Sequence, residues 1–554
     1  MFDIPDSMKM FSSDSLTRDS SVWQQSLVLV FDDDYSEEDV ADAIRTYIKN
    51  NDSFGIGFVN RSTGTKIDIS PFTSMDIPVT ECGSYKDVLV FAQNEANRPL
   101  TTDGELFRAN VVRFEKKIGA ICTIHHALVD GYSGILFIKG ISEILKGKPS
   151  PESSIKNHIE DELKYKNTDR YRKDISFWNK MISENRDNER LFRTQDQTVF
   201  DTFSRWFTVP EHICEKAALI CKDHEFPESV FWYSATAAFL SRQFDADKFN
   251  LGIALLNRVT QNDLNTFGLF MHVVPLMLSV DDRSFLRLAE QISDSLMTLM
   301  RHEKLSAYSI SQDCGNGLYR NTPLFEVAVD YSPIPDFEGV SHQIIYSGTC
   351  SVPLEIHLFR IKNNGLKILI RYARDVFADV NAGNFEASFY KFILQIADSP
   401  KKRISQYDIL TDKQRKILNE FSTGPAAPIP EKCVHELIEE QSRRTPDKEA
   451  VTAADRTVTY RELNEESCRI ANGLIARGIL PGDTVAFCLP RKSYLISAMT
   501  GILKTGASYL PIDPDYPEDR IGYMLSDSGA KYFITEENIS ELISYDNTDD
   551  PDIS

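Results

Sequence analysis

Two adjacent histidines followed by Asp-Gly are the residues of this chain best suited to chemistry. They lie in residues 124–133, where the apolar run 118–124, typical of a strand, gives way to a helical pattern. A histidine at the end of a strand, with an unperturbed pKa of about 6.5, suits general-base catalysis. We expect Asp130 to cap the helix and Gly131 to form a tight turn, which would hold the imidazole in place. A His-His pair alone is more often structural, so the prediction rests on the full spacing.

The segment His125-His126-Ala-Leu-Val-Asp130-Gly131 resembles the His-His-x-x-x-Asp-Gly signature of the condensation domains of nonribosomal peptide synthetases and their acyltransferase relatives. That family transfers acyl groups from CoA or carrier-protein thioesters. The resemblance implies that His126 faces the centre of a tunnel and acts as the general base or positions the amine by hydrogen bonding. It implies that His125 packs and orients the loop.

Asp130 has two alternative roles. It could polarise the histidine, as in a hydrolase triad. The resemblance favours a structural role instead, in which Asp130 pairs with an arginine after a strand of the second lobe, and Arg258 fits that position. Arg258 as an ordinary surface residue is the remaining alternative.

Further motifs of the family are only partly present. Residues 266–275 resemble its Gly-x-Phe-Val-Asn segment, and we expect their strand to belong to the bridge between lobes. The opening Ser-x-Ala-Gln motif is not recognisable in residues 12–23, and Asn50–Phe54 replaces an Arg-His-Glu-x-Leu-Arg motif. The donor side of the tunnel is therefore the less certain side. The residues we expect to line the tunnel are Tyr132, Ser133, Gly268, Phe270, Asp330 and Tyr331.

Composition excludes several function classes. The formal net charge of -21 has no basic stripe to offset it, which argues against a nucleic-acid partner. The nine cysteines have no Cys-x-x-Cys pair, as in reduced proteins without a zinc site. The N-terminal residues do not resemble a signal peptide, and no apolar run reaches about eighteen residues. We expect a cytoplasmic protein with no membrane partner and no metal.

Hydrophobic patterns predict alternating strands and helices. The polar stretch 147–174 is interpreted as a crossing between two lobes. The predicted strands cover residues 26–31, 111–124, 249–255 and 324–329, and the predicted helices cover residues 35–50, 132–146 and 229–244.

The predicted fold class is α/β, with two lobes like chloramphenicol acetyltransferase that form a V around a central tunnel. The expected domains are a first lobe at 1–176, a second lobe at 177–418, a linker at 419–432 and a further domain at 433–554. The linker prediction rests on one Gly and three Pro in residues 421–430. Residues 458–463 and 503–513 resemble the first two core motifs of adenylation domains. That domain stops before the family's phosphate loop, so we expect no adenylation activity.

The expected reaction is attack of an aminoacyl-thioester amine on an acyl thioester, which forms an amide and frees a thiol. Phosphopantetheine, carried by CoA or a carrier protein, is the expected cofactor; an acyl donor and a downstream aminoacyl carrier domain are the expected partners. Because the first strand begins by about Gln24, which leaves too few residues for a preceding carrier domain, we expect a starter domain that uses a fatty acyl donor and has a long apolar tunnel. The alternatives are an elongating domain with a peptidyl-carrier donor and a noncatalytic carrier-docking platform.

Overall fold

The computed structural model describes residues 1–9, 21–32, 35–61, 64–71, 75–100, 105–192, 199–315, 323–425 and 427–551. The chain divides into two compact units, Met1–Ser422 and Thr423–Ser554. The first unit contains every candidate site residue and has two lobes, each with its own sheet and core.

The strands of the first unit are interspersed with helices along the chain, with some strands directly consecutive and one run of five near its end. They are β1 (Phe2–Asp3), β2 (Gln24–Phe31), β3 (Ile56–Arg61), β4 (Gly64–Ile69), β5 (Val79–Glu81), β6 (Phe107–Phe114), β7 (Lys117–His125), β8 (Phe200–Val209), β9 (Lys248–Leu255), β10 (His272–Ser279), β11 (Val327–Ile334), β12 (Val340–Tyr346), β13 (Thr349–Cys350), β14 (Leu354–Ile361) and β15 (Leu366–Ala373).

Several helices of the first unit begin at a side-chain cap. Ser36 forms a capping box with Asp39, in which each side chain accepts a hydrogen bond from the other residue's backbone N–H. The helices are α1 (Asp6–Lys9), α2 (Glu37–Lys49), α3 (Tyr85–Asn97), α4 (Gly131–Leu145), α5 (Lys156–Tyr165), α6 (Asp169–Glu184), α7 (Glu211–Asp223), α8 (Glu228–Phe244), α9 (Gln261–Asn265), α10 (Phe285–Met300), α11 (Ala307–Asp313), α12 (Asp379–Asp398) and α13 (Asp412–Thr423), with 3₁₀ turns at Asp52–Gly55 and Ile404–Gln406.

The first-lobe sheet has the strand order β12-β2-β7-β6-β5. One face buries Leu27 and Leu29 in a core with α2 and α4, and the other packs Val28 against α3. Strand β12 comes from the second half of the chain but pairs antiparallel with β2. The first lobe is therefore completed by residues far from it in sequence.

The second-lobe sheet has the strand order β10-β9-β11-β14-β15-β8-β13. On β14 the side chains alternate between its two faces, as on any strand. Leu354, Ile356 and Leu358 are buried in the helix-covered core. Glu355 and His357 point to the opposite face, which we call the inner face.

The structure corrects the predicted element and domain limits. Residues 111–124 belong to two strands, β6 and β7, because Glu115 and Lys116 turn the chain with φ angles of 47° and 66°. The predicted strand at 324–329 begins later, at Val327. The predicted lobe limit at 176 falls inside α6, whose Trp178 lies in the second-lobe core. The predicted linker, 419–432, starts within α13.

The stretch 147–174 crosses between the lobes as predicted. At the start of α5, Ile155 and Ile159 lie in the first-lobe core, whereas Tyr165 at its end lies in the second-lobe core. Of the two divergent motifs, residues 12–20 lie outside the described residues. The other, Asn50–Phe54, contacts the segment before β10, where Ser53 Oγ donates a hydrogen bond to the carbonyl of Phe267 at 2.5 Å.

The second unit has its own small core around a parallel sheet of order β19-β18-β20. Its strands are β16 (Glu449–Thr452), β17 (Thr457–Thr459), β18 (Thr484–Cys488), β19 (Ser508–Pro511) and β20 (Tyr532–Thr535), and its helices are α14 (Val434–Arg444), α15 (Tyr460–Ile475), α16 (Tyr494–Lys504), α17 (Glu518–Ser528) and α18 (Ile539–Ile543). All nine cysteines lie in described segments and are free thiols. Across the described segments, no helix has the length and hydropathy needed to span a membrane.

Candidate active site at the His-His-x-x-x-Asp-Gly loop

The loop between β7 and α4 presents the two histidines at the end of the first-lobe sheet. Asp130 is the N-cap of α4, and its Oδ1 accepts a hydrogen bond from the backbone N–H of Ser133 at 2.7 Å. Gly131 is the first residue of the helix and has no positive φ, so the predicted tight turn is wrong. Its missing side chain leaves space beside Met271, whose sulfur lies 4.0 Å from the Cβ position.

His126 is held by its backbone and by one ring nitrogen. Its N–H donates to the carbonyl of Trp23 at 2.6 Å. Nδ1 lies 3.2 Å from the carbonyl oxygen of Val129. Since a carbonyl only accepts, Nδ1 carries the proton in this contact and Nε2 keeps its lone pair.

Burial changes the acid–base behaviour of His126. The main cause is desolvation, which lowers the pKa of His126 below its ordinary value, while the carbonyl of Val129 and the charge of Glu355 oppose this shift. The expectation of an unperturbed pKa is therefore wrong. The lowered pKa keeps the imidazole neutral at pH 7, the form in which it can accept a proton.

His125 is buried, with 3% of its surface exposed. Its Nδ1 accepts a hydrogen bond from the N–H of Ala127 at 3.1 Å, which tightens the loop. Burial, with a contribution from the charge of His126, lowers the pKa of His125 to about 3. His125 is thus a neutral structural acceptor in this conformation.

Asp130 and Arg258 form a buried ion pair. The guanidinium Nη2 lies 3.1 and 3.0 Å from the two carboxylate oxygens, and the side chains of Arg258 and Asp130 are 0% and 2% exposed. Asp130 also accepts hydrogen bonds from the backbone N–H groups of Phe270 and Met271 at 2.9 and 3.1 Å. The carboxylate therefore joins the loop to the second lobe, and Arg258 is not a surface residue.

Arg258 organises the segment before β10. Its guanidinium lies over the rings of Tyr132 and Phe270, at 4.9 and 4.0 Å from the ring centroids. It also donates to Ser133 Oγ at 2.7 Å, and that hydroxyl donates to the carbonyl of Gly268 at 2.7 Å. Ser133, Gly268 and Phe270 are thus buried in this network and do not line the cavity described next. Strand β10 pairs with β9 in the second-lobe sheet, while Phe267 just before it lies in the first-lobe core, so this segment runs between the lobes.

A cavity of about 740 Å³ extends along one face of α4. Of the predicted tunnel residues, Tyr132, Asp330 and Tyr331 line it, as does Gly131. Its apolar wall includes Ile135, Leu136, Leu256, Met271, Pro333 and Phe337, and charged side chains along it include Lys139, Glu143, Lys146, Asp336 and Glu338. It is therefore only partly apolar.

The inner face of the second-lobe sheet carries four ionisable residues that we call the inner-face cluster: Asp330, Glu355, His357 and Arg371. Of these four, the sequence interpretation named only Asp330. Asp330 on β11 is paired with His357 on β14, and Glu355 on β14 is paired with Arg371 on β15. Glu355 and Arg371 form a short ion pair. The charged residues alternating with Leu and Ile in residues 354–358 are the signal that could have located it.

The charges of the inner-face cluster alter one another. Burial by itself would raise the pKa of Glu355, but Arg371 and His357 outweigh it and lower that pKa to about 2. Burial would likewise lower the pKa of His357, but Asp330 and Glu355 outweigh it and raise that pKa. Within the described segments, no group of three or more His, Cys, Asp or Glu side chains is arranged to hold a metal ion.

Comparison with protein families gives two matches. The family model "Condensation domain" matches residues 8–419, and "AMP-binding enzyme" matches residues 438–552. Surfactin synthase subunit 1 of Bacillus subtilis is 26% identical over 92% of this chain, and tyrocidine synthase 3 of Brevibacillus parabrevis is 26% identical over 85%. The chain spans 15% and 7% of the lengths of these two relatives.

Solved structures share the fold. A four-domain nonribosomal peptide synthetase, holo-AB3403 bound to AMP and glycine, matches 96% of this chain with a TM-score of 0.72 and 18% identity, and 43% of its own chain is covered. The first condensation domain of the calcium-dependent antibiotic synthetase, bound to a substrate analogue, matches 74% of this chain with a TM-score of 0.64 and 16% identity, and 98% of its own chain is covered. Since the condensation-domain model matches most of the chain, the protein belongs to the condensation domain family of nonribosomal peptide synthetases, with a segment that matches AMP-binding enzymes following that domain.

Proposed function

We propose that the first unit forms an amide between an acyl thioester and the amine of an aminoacyl thioester, with His126 as the proton acceptor. The observation that carries this proposal is the state of His126. Its Nδ1 is engaged by the carbonyl of Val129, its pKa is lowered, and Nε2 keeps a lone pair. A neutral imidazole with one available nitrogen is the form that general-base catalysis needs.

The proposed step balances without a metal or redox partner. The amine nitrogen attacks the thioester carbonyl carbon, and Nε2 of His126 takes a proton from that nitrogen. The C–S bond then breaks, and the departing thiolate receives the proton, which restores the neutral imidazole. The products are an amide and a free thiol. The phosphopantetheine that bears each thioester belongs to the substrates, CoA or carrier domains.

The network around Asp130 supports this proposal over a noncatalytic carrier-docking platform. The carboxylate accepts hydrogen bonds from Ser133, Phe270 and Met271 in addition to Arg258. These contacts fix the loop from both lobes, and a docking surface has no need of a loop held to this accuracy.

For the donor, we favour a fatty acyl group, as in a starter domain. The support is the cavity along α4, whose wall includes Ile135, Leu136 and Phe337. Each methylene buried there would contribute about 0.8 kcal/mol. The charged groups Lys139 and Glu143 in the same cavity favour the second candidate, an elongating domain with a peptidyl donor.

The test incubates the purified chain with an aminoacyl carrier protein and either a panel of acyl-CoA and acyl-carrier thioesters or a peptidyl carrier protein. Intact-mass spectrometry measures the acylated product. We expect transfer from fatty acyl donors, and a rate lowered by about 10²–10⁴ in His126→Ala. His224→Ala, at an exposed site on the second lobe, is the matched control and should behave as wild type.

The outcomes separate the candidates. Use of the peptidyl donor alone would establish the elongating function, and absence of transfer from every donor would favour the docking platform. Near wild-type turnover of a folded His126→Ala protein would remove His126 from the mechanism.

A further inference from the structure

The acceptor amine must lose more protons than His126 alone removes. An α-amine has a pKa of about 7.8, so most of it is ammonium at neutral pH. An ammonium has no lone pair and cannot attack a carbonyl. Two protons must therefore leave the nitrogen, one before attack and one during it. Under the proposed function, His126 takes only the second.

The inner-face cluster provides a second imidazole close to charged partners. His357 Nδ1 lies 4.0 Å from Asp330 Oδ2, and its Nε2 lies 3.6 Å from Glu355 Oε2. Tyr346 stacks on the imidazole at 4.7 Å between ring centroids. Arg371, the remaining charged neighbour, lies 4.8 Å above the same tyrosine ring. These groups come from β11, β12, β14 and β15.

The cluster is partly exposed although it lies on central strands. The side chains of His357, Glu355 and Asp330 keep 16%, 15% and 26% of their surface exposed. Asp330 also lines the cavity along α4. The cluster therefore reaches the cavity along α4 at Asp330, whereas Nε2 of His357 is itself buried.

The cluster also lies near His126. In the first-lobe sheet, Gln25 on β2 is paired with Tyr346 on β12 and with Ile124 on β7. The side chains of Tyr346 and Ile124 therefore lie on the same face of the sheet, and their backbones are about 10 Å apart. His126 follows Ile124 by two residues. Although burial dominates its pKa, Glu355 and Arg371 both act on it electrostatically. Two charged groups of the cluster are therefore close enough to His126 to affect its protonation.

The charges of the cluster leave room for one more cation. Asp330 and Glu355 are two carboxylates, and Arg371 compensates one of them. The second positive charge can be either an imidazolium at His357 or a bound ammonium. Two cations side by side in this partly desolvated space would repel each other strongly.

We propose that His357 holds the proton that the acceptor ammonium must lose, so that the amine next to it is kept neutral and ready to attack. In the complex one proton is held on His357 between Asp330 and Glu355. Either a neutral imidazole takes it from the bound ammonium, whose N–H bond breaks with the electron pair left on nitrogen, or an imidazolium already carries it and the acceptor binds as the free amine. His126 then takes the second proton during attack and passes it to the thiolate. After product release His357 returns its proton to solvent, which balances the reaction.

The test is the pH dependence of kcat at saturating aminoacyl acceptor in wild type and His357→Gln, because kcat reports the protonation states within the complex. At a pH of about 6.8, one unit below the amine pKa, about one tenth of the acceptor is neutral. The variant should then lose about tenfold relative to wild type, and this deficit should shrink above a pH of about 8.8. Asp330→Asn, which keeps the shape of a partly exposed side chain, should change the profile in the same direction by a smaller factor.

Two controls make the result decisive. His342→Gln changes a histidine on β12 that packs on Phe337 instead of the cluster, and it should keep the wild-type profile. An aminooxy acceptor, which is unprotonated at neutral pH, should react equally with wild type and His357→Gln. A pH-independent loss with both acceptors would show that His357 only supports the fold, and unchanged profiles in both variants would also overturn the inference. If wild type forms no amide at all, the proposed function itself fails.

Discussion

The two adjacent histidines occupy different environments although they share one loop. His125 is buried and accepts a hydrogen bond from Ala127, whereas His126 keeps one ring nitrogen for chemistry. Burial lowers the pKa of both, but for His125 it reaches about 3. Burial in the folded state therefore extends the neutral form of both imidazoles to lower pH.

The lowered pKa of His125 predicts that the folded protein loses stability as the pH falls. Its pKa is about 3 when folded and about 6.5 when unfolded, so between these values the unfolded chain binds more protons. The contribution to stability is complete above pH 6.5 and falls by about 1.4 kcal/mol per unit as pH drops toward 3. In His125→Asn, whose amide oxygen can still accept from Ala127, this part of the slope should disappear. Urea unfolding at several pH values measures it, and an unchanged slope would contradict the prediction.

The ion pair between Asp130 and Arg258 predicts coupled stability. Removing either partner leaves a buried charge, so Asp130→Ala and Arg258→Met should each lower the free energy of unfolding by about 3–5 kcal/mol. The double variant should lose less than the sum, because no unpaired charge remains. Chemical denaturation measures all three. Asp398→Ala, which breaks an exposed pair with Lys216, is the control and should cost at most about 1 kcal/mol. A stable but inactive Asp130→Ala protein would instead indicate a direct role in chemistry.

At the scale of elements, α4 both carries the loop and forms a cavity wall. Its buried side, with Phe137 and Ile141, packs in the first-lobe core. The cavity residues recur at helical spacing, from Tyr132 through Leu136 to Glu143. The helix thus extends about 22 Å from the active-site loop along the proposed donor site.

This arrangement predicts that filling the cavity beside α4 reduces the length of the acyl chain that can be transferred. Leu136→Trp adds bulk to the cavity wall, so transfer of long acyl chains should fall while short chains react as in wild type. The measurement is the rate of transfer for a series of acyl-CoA lengths. Leu219→Trp, at a leucine on α7 that is 59% exposed, is the control. Equal loss for all chain lengths would place the donor elsewhere.

At the scale of the whole molecule, the two units have separate cores. Residues 1–422 and 423–554 form the two compact units, and the second builds its core from residues such as Ile470 and Ile502. Separate cores allow separate cooperative unfolding.

We therefore expect two transitions in calorimetry of the full chain. Gly501→Val should lower only the transition of the second unit, because an added Cβ would lie 2.8 Å from Ile470. Acyl transfer by the first unit should be unchanged. A shift of both transitions would show that the units unfold together.

Short-range patterns explain why much of the site could be predicted. The strand before His125, the N-cap at Asp130 and the helix after it depend on neighbouring residues, and they agree with the structure apart from the turn at Gly131. The hairpin at Glu115 and Lys116 was missed because its apolar flanks look continuous with one strand. Insertion of β12 into the first-lobe sheet depends on residues distant in the chain, which no local pattern reports.

By itself, the sequence determined the loop motif, the order of strands and helices around it, and the pairing that the family resemblance implies for Asp130 and Arg258. Tertiary structure decided the rest. The ion pair joins residues 128 positions apart, the pKa of His126 is set by burial, and the inner-face cluster forms only where β11, β14 and β15 lie side by side. The physical reason is that hydrogen-bond caps act over a few residues, whereas desolvation and electrostatic interactions depend on which distant strands meet in the folded chain.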